Sequence, residues 1–543
     1  MHKIAINFLI LSIFFSACSV FRPANSVSEA EVHEVTLDTV MVEGRKNQKA
    51  EMRENPYTNY QATAQKVHEL LHTKLDLSFD IPNEWVFGKA EITLKPHFYS
   101  VDSVVLDARG FDIHKTALME QGGKTSDLKH NYDGNKLIIY NRELRTRNDT
   151  FTLFIDYTGK PSFLSGGGSW AIRENRGMYF QDSQSDNPQI WTQGEPEANS
   201  GWFPTIDKPN QHMTQEIFLT VDRDFETLSN GAKVNVLLND DGTKTVHWKQ
   251  EKPHTPYLAA VIVGRFDIIK YHWRDKPVYV YVEADDIEKA KPTFRKSADM
   301  MAFFSHKFQY DYPWEKYSQV VVRNFISGAM ENTGATVYSD YFLSDPNKEI
   351  YRPGREITVA HELSHHWFGN LVTCESWANL PLNESFASYA EYLWLEYEYG
   401  RFTADRHLMN AVNSYYFEAS YKNSDLIRYY HKTPGSMFDM HSYNKGAAIL
   451  HMLRYEVGDE AFFESLAHYL KKHEYQSTEV HDLRLSFEEI TGRDLNYFFN
   501  ELSSGRELKL FTDEIRSPRY VDDANRILWS LLKSDVSNKK VTN

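Results

Sequence analysis

The chain has 543 residues, and 60 lysines and arginines against 75 aspartates and glutamates leave a formal net charge of −15. Hydrophobic residues make up 41% and charged residues 25%, an ordinary globular mixture that excludes a disordered chain and a polytopic membrane protein. The acidic balance lacks the basic stripe that a nucleic-acid partner asks for, and two cysteines, Cys18 and Cys374, exclude a disulfide framework.

The N-terminus, MHKIAINFLILSIFFSACSV, places Lys3 before an apolar stretch from Ile4 to Phe15, with Ser16-Ala17 directly before Cys18. This reads as a signal peptide over residues 1–17, too short to stay in a bilayer as a spanning helix. Small residues followed by Cys resemble a bacterial lipobox, with Phe15 where Leu is usual. Cys18 is therefore expected to carry a lipid anchor, at the head of a mature chain of 543 − 17 = 526 residues. The expected location is the bacterial cell envelope, on the periplasmic or cell-surface side.

Residues 18–62 are polar and without sustained period, and read as a tether. From 63 to 272 strand patterns dominate (TKLDLSFDI, KAEITLKPHF, QEIFLTVD), separated by turn pairs such as Asp133-Gly134 and Asp241-Gly242. Gly166-Gly167-Gly168 lacks the strand–loop–helix setting of a phosphate cradle and reads as a plain loop. After the strand at 277–283, helical patterns appear at 286–308, 354–371, 384–399, 403–420, 443–456, 459–472 and 479–491. The expected fold class is α+β and multidomain: a β-rich N-terminal domain over 63–272, then a mainly helical domain over 273–505. Residues 506–543 form a short tail.

The pattern HExxH occurs twice. The first copy is His68-Glu69-Leu70-Leu71-His72, with 18 residues between His72 and Glu91; the second is His361-Glu362-Leu363-Ser364-His365, with 18 residues between His365 and Glu384. Spacing does not separate them, but context does. The first copy runs into strand alternation through Leu75, Leu77 and Phe79. On a strand, residues four apart stand about 13 Å from each other, too far to share one ion at bond lengths of about 2.0–2.1 Å. His68 and His72 are therefore expected to be surface residues at the start of a strand.

The second copy lies in REITVAHELSHHWFGNLV, which keeps a helical period. On a helix, positions four apart are neighbours, so His361 and His365 aim two nitrogens at one spot. His366 is turned about 100° further round. Glu362 lies beside the pair, placed to take a proton from water. Glu384 opens a second helix and offers a third ligand. Glu391 shares its face two turns on and is suited to orienting a ligand imidazole. Three ligands and one open position are what hydrolytic zinc requires.

Further motifs surround this set in order: Thr192-Gln193-Gly194-Glu195-Pro196, WFPTIDKP at 202–209, Gly328-Ala329-Met330-Glu331-Asn332, HELSHHWFGNLVT, LNESFA and Tyr443-Asn444-Lys445-Gly446. Together they resemble the aminopeptidase N family, peptidase family M1 of the gluzincins, over about 67–500. The resemblance implies a thermolysin-like catalytic domain and one zinc ion held by His361, His365 and Glu384. It makes Glu362 the general base and Tyr443 the donor to the oxyanion of the tetrahedral intermediate. It also has Glu331 and Glu195 grip the free α-ammonium of a peptide, and the backbone at Gly328 and Ala329 pair with the substrate strand.

The function implied is a zinc metalloaminopeptidase acting on peptides with a free N-terminus. A thermolysin-like endopeptidase and a non-catalytic peptide-binding protein on the same fold are the alternatives. Paired carboxylates that demand a free amine speak against the first, and the intact catalytic set speaks against the second. Cys374 is expected as a buried thiol near the site. The chain departs from the family pattern at Thr333, where Trp commonly follows GAMEN, and at Ser385, where N-E-G-F has Gly. Thr333 is expected to reshape the first specificity pocket. The resemblance also implies a C-terminal helical domain, which the short tail is not expected to supply.

Overall fold

The computed structural model describes residues 60–504 apart from 62, 170, 344–352 and 423. Cys18, the signal peptide, most of the tether and the tail at 506–543 lie outside the described residues. Among the described residues, no helix is long and apolar enough to cross a membrane.

Strict alternation builds the first large sheet. Met213–Asp222 buries Met213, Gln215, Ile217, Leu219 and Val221 in turn, as expected for a strand with one face on a core. His68–Asp80 runs parallel to it and antiparallel to Trp85–Pro96. These three strands are the middle of an eight-stranded sheet that ends in Ala232–Leu238 on one side and Thr125–Asp127 on the other. A four-stranded sheet follows, in which Gln189–Thr192 lies between Val261–Gly264 and Met178–Gln181. Gln189–Thr192 is buried at every position, with the apolar pair Ile190-Trp191 between two polar residues, so it shows no alternation.

The strand at His68 differs from expectation in one respect. His68 is only 3% exposed, and burial lowers its pKa to about 4. The cause is a register shift between Leu70 and His72 in the pairing with Trp85–Pro96. This bulge changes the parity of the strand, so that His68 and Leu70 share the buried face with Thr73, Leu75 and Leu77. His72 stays half-buried, its Nδ1 2.7 Å from the Thr214 hydroxyl. Opposite faces of a strand add to the reasons why these two rings cannot share an ion.

A five-stranded sheet opens the C-terminal half, in the order Asp267–Trp273, Lys276–Val282, Tyr317–Val322, Ala335–Ser339, Ala329–Met330. Its centre, Tyr317–Val322, is buried at all six positions, whereas Ala329–Met330 is the edge. The helices are α1 (Ile287–Phe294), α2 (Ser297–Lys307), α3 (Pro353–Ser364), α4 (Pro381–Tyr399), α5 (Arg401–Ala419), α6 (Gly446–Val457), α7 (Asp459–Lys472), α8 (Val480–Thr491) and α9 (Asn496–Ser504). The single pattern at 286–308 is thus two helices. Pro381 stands in the first turn of α4, where its missing N–H costs nothing. One contiguous set of buried side chains runs from Leu75 and Trp191 through Val280 to Leu363 and Trp367.

Candidate active site

Helix α3 presents one face to the core through Val359, Ala360 and Leu363, all fully buried. The regular helix ends at Ser364, but the His365 N–H still donates to the His361 carbonyl at 3.3 Å, so the two rings keep their helical spacing. The chain then turns at Gly369, whose φ of +129° suits glycine; a Cβ there would stand 3.1 Å from His365 Nδ1.

Each of the two rings is oriented from behind. His361 Nδ1 lies 2.7 Å from Glu391 Oε1, and His365 Nδ1 lies 3.0 Å from the Phe368 carbonyl. In the neutral form both rings therefore carry their proton on Nδ1 and turn a bare Nε2 inward. Those nitrogens stand 3.4 and 3.5 Å from Oε2 of Glu384, a buried oxygen with no hydrogen-bond partner. Three lone pairs converging with no proton between them repel unless a cation joins them. Tetrahedral zinc with bonds of about 2.0–2.1 Å separates its ligand atoms by about 3.3–3.4 Å, which is the spacing found. The donor set fits a zinc ion.

The electrostatics point the same way. Burial lowers the His361 pKa, but the facing carboxylates of Glu384 and Glu391 outweigh it and hold the ring well above its ordinary value. His365 rises to about 9 because Glu331 and Glu384 overcome burial. Burial pushes Glu384 up, yet the two imidazoles bring it down to about 2. The site thus favours positive charge among its carboxylates. Glu362 is buried beside the ligands, and burial, opposed by the two rings, places its carboxyl at about 8.

Glu195 and Glu331 arrive from different sheets: Glu195 just after Gln189–Thr192, and Glu331 just after the edge strand Ala329–Met330. Gln193 Nε2 lies 3.2 Å from Met330 Sδ, joining the two segments. The Asn370 amide donates to the Glu331 carbonyl at 2.9 Å, joining them to the end of α3. Both carboxylates are buried, and each leaves Oε1 without a partner. Burial, then Glu331 and the two other acids, pushes Glu195 well up; burial also raises Glu331, against the pull of His365. Two crowded carboxylates, each with a buried oxygen that lacks a partner, make a site for a cation with hydrogen-bond donors.

Tyr443 lies in the same cluster. Its ring is 6.1 Å from that of His361 and within 13° of parallel. Its hydroxyl is pushed well up by burial and then by Glu384, Glu195, Glu331 and Glu362. Gly328 is exposed and Ala329 half-buried on the edge strand, where Ala329 pairs with Tyr338 on one side only.

His366 faces away from the ligands, as its rotation requires. Its Nε2 accepts from the Gly334 N–H at 3.0 Å, and its Nδ1 donates to the Glu362 carbonyl at 3.1 Å. Cys374 is buried, and burial holds its thiol well up. Thr333 is fully buried with its hydroxyl 3.2 Å from His254 Nδ1, so its side chain is taken up by the β-rich half. His407, which no motif announces, supports the site from α5: its Nε2 lies 2.7 Å from Glu391 Oε2. Tyr257 is a second unannounced neighbour, its hydroxyl 3.3 Å from the Asn383 amide. Glu418, Asp439 and His441 also lie within ligand reach of one another. They are already satisfied, because Lys422, Arg428 and backbone N–H groups bind Asp439, and Glu418 binds His441.

Comparison with known proteins agrees with this geometry. The peptidase M1 N-terminal domain model matches residues 59–258, and the peptidase family M1 domain model matches residues 293–502. Aminopeptidase M1 of Arabidopsis thaliana is 29% identical over 370 residues, covering 65% of this chain and 41% of its own length. Aminopeptidase 2 of Candida albicans is 27% identical over 465 residues, covering 80% of this chain and 48% of its own. The chain thus spans half or less of the length of these curated relatives. An M1 zinc metallopeptidase from Deinococcus radiodurans, solved as a mutant bound to a Tyr-Ser-Ala substrate, shares the fold with a TM-score of 0.67 at 21% identity, covering 82% of this chain and 96% of its own.

Proposed function

The chain belongs to peptidase family M1, and from that premise we propose that it is a zinc-dependent aminopeptidase that removes residues from the free N-terminus of peptides. The observation that carries this reading is the pair Glu195 and Glu331, buried beside the ligand set with one oxygen of each unpartnered. A peptide α-ammonium supplies the charge and the donors that this pair lacks, and holding it there sets the register one residue from the end.

His361, His365 and Glu384 would hold the zinc ion, which when bound supplies Lewis-acid polarisation of the scissile carbonyl and a lowered pKa for water. The chain's own groups do the rest. Glu362 takes the proton from the attacking water and later delivers it to the leaving amine. Tyr443, kept protonated, donates to the oxyanion of the tetrahedral intermediate. The free side of Ala329–Met330 offers backbone groups to an extended substrate. From the separate likeness of Ser16-Ala17-Cys18 to a lipobox we also propose a cell-envelope lipoprotein anchored through Cys18.

The test is turnover of one dipeptide amide, free and acetylated, by the purified zinc-loaded chain. Release of the first residue from the free form alone supports the proposal. Internal cleavage of longer peptides points to an endopeptidase, and binding without turnover to a non-catalytic role.

A further inference from the structure

The residue after Glu384 is Ser385, at the place where the family pattern has glycine. Its side chain is buried, and its hydroxyl donates to the Ser442 carbonyl at 2.7 Å. Ser442 directly precedes Tyr443 in a single wide turn, His441–Lys445, closed by the Lys445 N–H on the Met440 carbonyl at 3.0 Å. Turns of this π type recur where a helix presents a functional group.

Ser442 is held on every polar group. Its N–H donates to Asp439 Oδ1 at 3.0 Å, its hydroxyl donates to the Met437 carbonyl at 2.6 Å, and Arg428 Nη2 reaches that hydroxyl at 3.2 Å. Those partners belong to the segment before the turn, whereas the bond from Ser385 comes from the helix that bears Glu384. The seam is built for it: a Cβ on Gly446 would stand 1.7 Å from Ser385 Oγ.

We propose that Ser385 is a positioning residue that sets the Tyr443 hydroxyl relative to Glu384, by tying the carbonyl before the tyrosine to the residue after the ligand. The proposal rests on the reading of Tyr443 as the oxyanion donor. A glycine at 385 leaves the Ser442 carbonyl without this donor and removes the bond between the turn and the helix that bears Glu384, while His441 and Asn444 still tie the turn to Glu418 and the Ala411 carbonyl of α5. A small displacement of an oxyanion donor costs rate and leaves ground-state binding alone.

Two measurements on the full zinc-loaded chain test it, with Ser385→Ala and Ser385→Gly as variants. In amide hydrogen exchange, Tyr443 to Gly446 should exchange faster in both variants while zinc stays at one per chain. In steady-state kinetics on an unblocked dipeptide amide, Ser385→Ala should lower kcat about tenfold with little change in KM. The same change in a Tyr443→Phe background should cause no further fall. Unchanged exchange in the turn, or an equal fall of kcat in both backgrounds, overturns the proposal. If the wild type turns over no unblocked peptide, the aminopeptidase reading fails while the exchange measurement still decides the role of Ser385.

Discussion

Glu391 bridges two histidines, with Oε1 2.7 Å from His361 Nδ1 and Oε2 2.7 Å from His407 Nε2. The carboxylate fixes the tautomer and the direction of the His361 ring, a zinc ligand on the proposed function, and His407 fixes the carboxylate in turn. Glu391→Ala should weaken zinc binding by about 10–100-fold, the usual cost of removing such a partner, and His407→Ala should weaken it less. Competition against a chelator of known affinity measures both; equal zinc affinity in Glu391→Ala and wild type would show that the ring holds its place without help.

Glu362→Gln keeps the shape of the side chain and removes its basicity. Zinc content should stay at wild-type level while the hydrolysis rate falls by at least about 10²-fold. Loss of metal together with activity would make Glu362 structural and remove the general-base assignment.

The histidines of the first HExxH lie on opposite faces of a strand, and neither can contribute to a metal centre. His68→Ala combined with His72→Ala should retain bound zinc and activity. The measurements are metal content and turnover on a variant whose circular dichroism is unchanged. Disappearance of the metal from that folded variant would reverse the choice between the two motifs.

On the proposed function, Glu331 and Glu195 set the exopeptidase register. An α-amine with a pKa near 7.7–8.0 is largely protonated at pH 7, and about 10²-fold slower cleavage of the acetylated peptide is expected, equivalent to about 2.7 kcal/mol. Glu331→Ala should lower kcat/KM for the free peptide by a similar factor and narrow its advantage over the acetylated one. A two-by-two comparison of both enzymes on both peptides decides it; a wild type that cuts the two equally well sinks the claim.

Cys18 is the proposed lipid attachment point. Expressed in a bacterium, the chain should partition with membranes and take up an acyl-chain label, and Cys18→Ser should abolish the labelling. A wild-type protein that is soluble and unlabelled would leave Cys18 an ordinary signal-peptide residue.

The convergence of His361 and His365 was legible in the sequence because helical spacing is a local property. Residues four apart on α3 must face the same way whatever packs around them, so His361 and His365 declare themselves, and Glu362 with them. Glu391 follows from the same arithmetic on α4. Strand alternation at Leu75, Leu77 and Phe79 was legible for the same reason, and it placed the first HExxH on a strand.

Where a feature depends on a single inserted residue or on two distant segments meeting, local period is silent. The bulge between Leu70 and His72 moved His68 from the expected surface into the core, because one extra residue inverts the parity of everything before it. Glu195 and Glu331 were paired only by resemblance to a family, since no periodicity relates a turn after one sheet to the edge strand of another. His407 and the bond from Ser385 to Ser442 had no sequence signal at all. Backbone geometry decides which side chains share a face of one element. Which faces then meet is decided by how the apolar sides of all the elements are buried together, and that is a property of the packed chain.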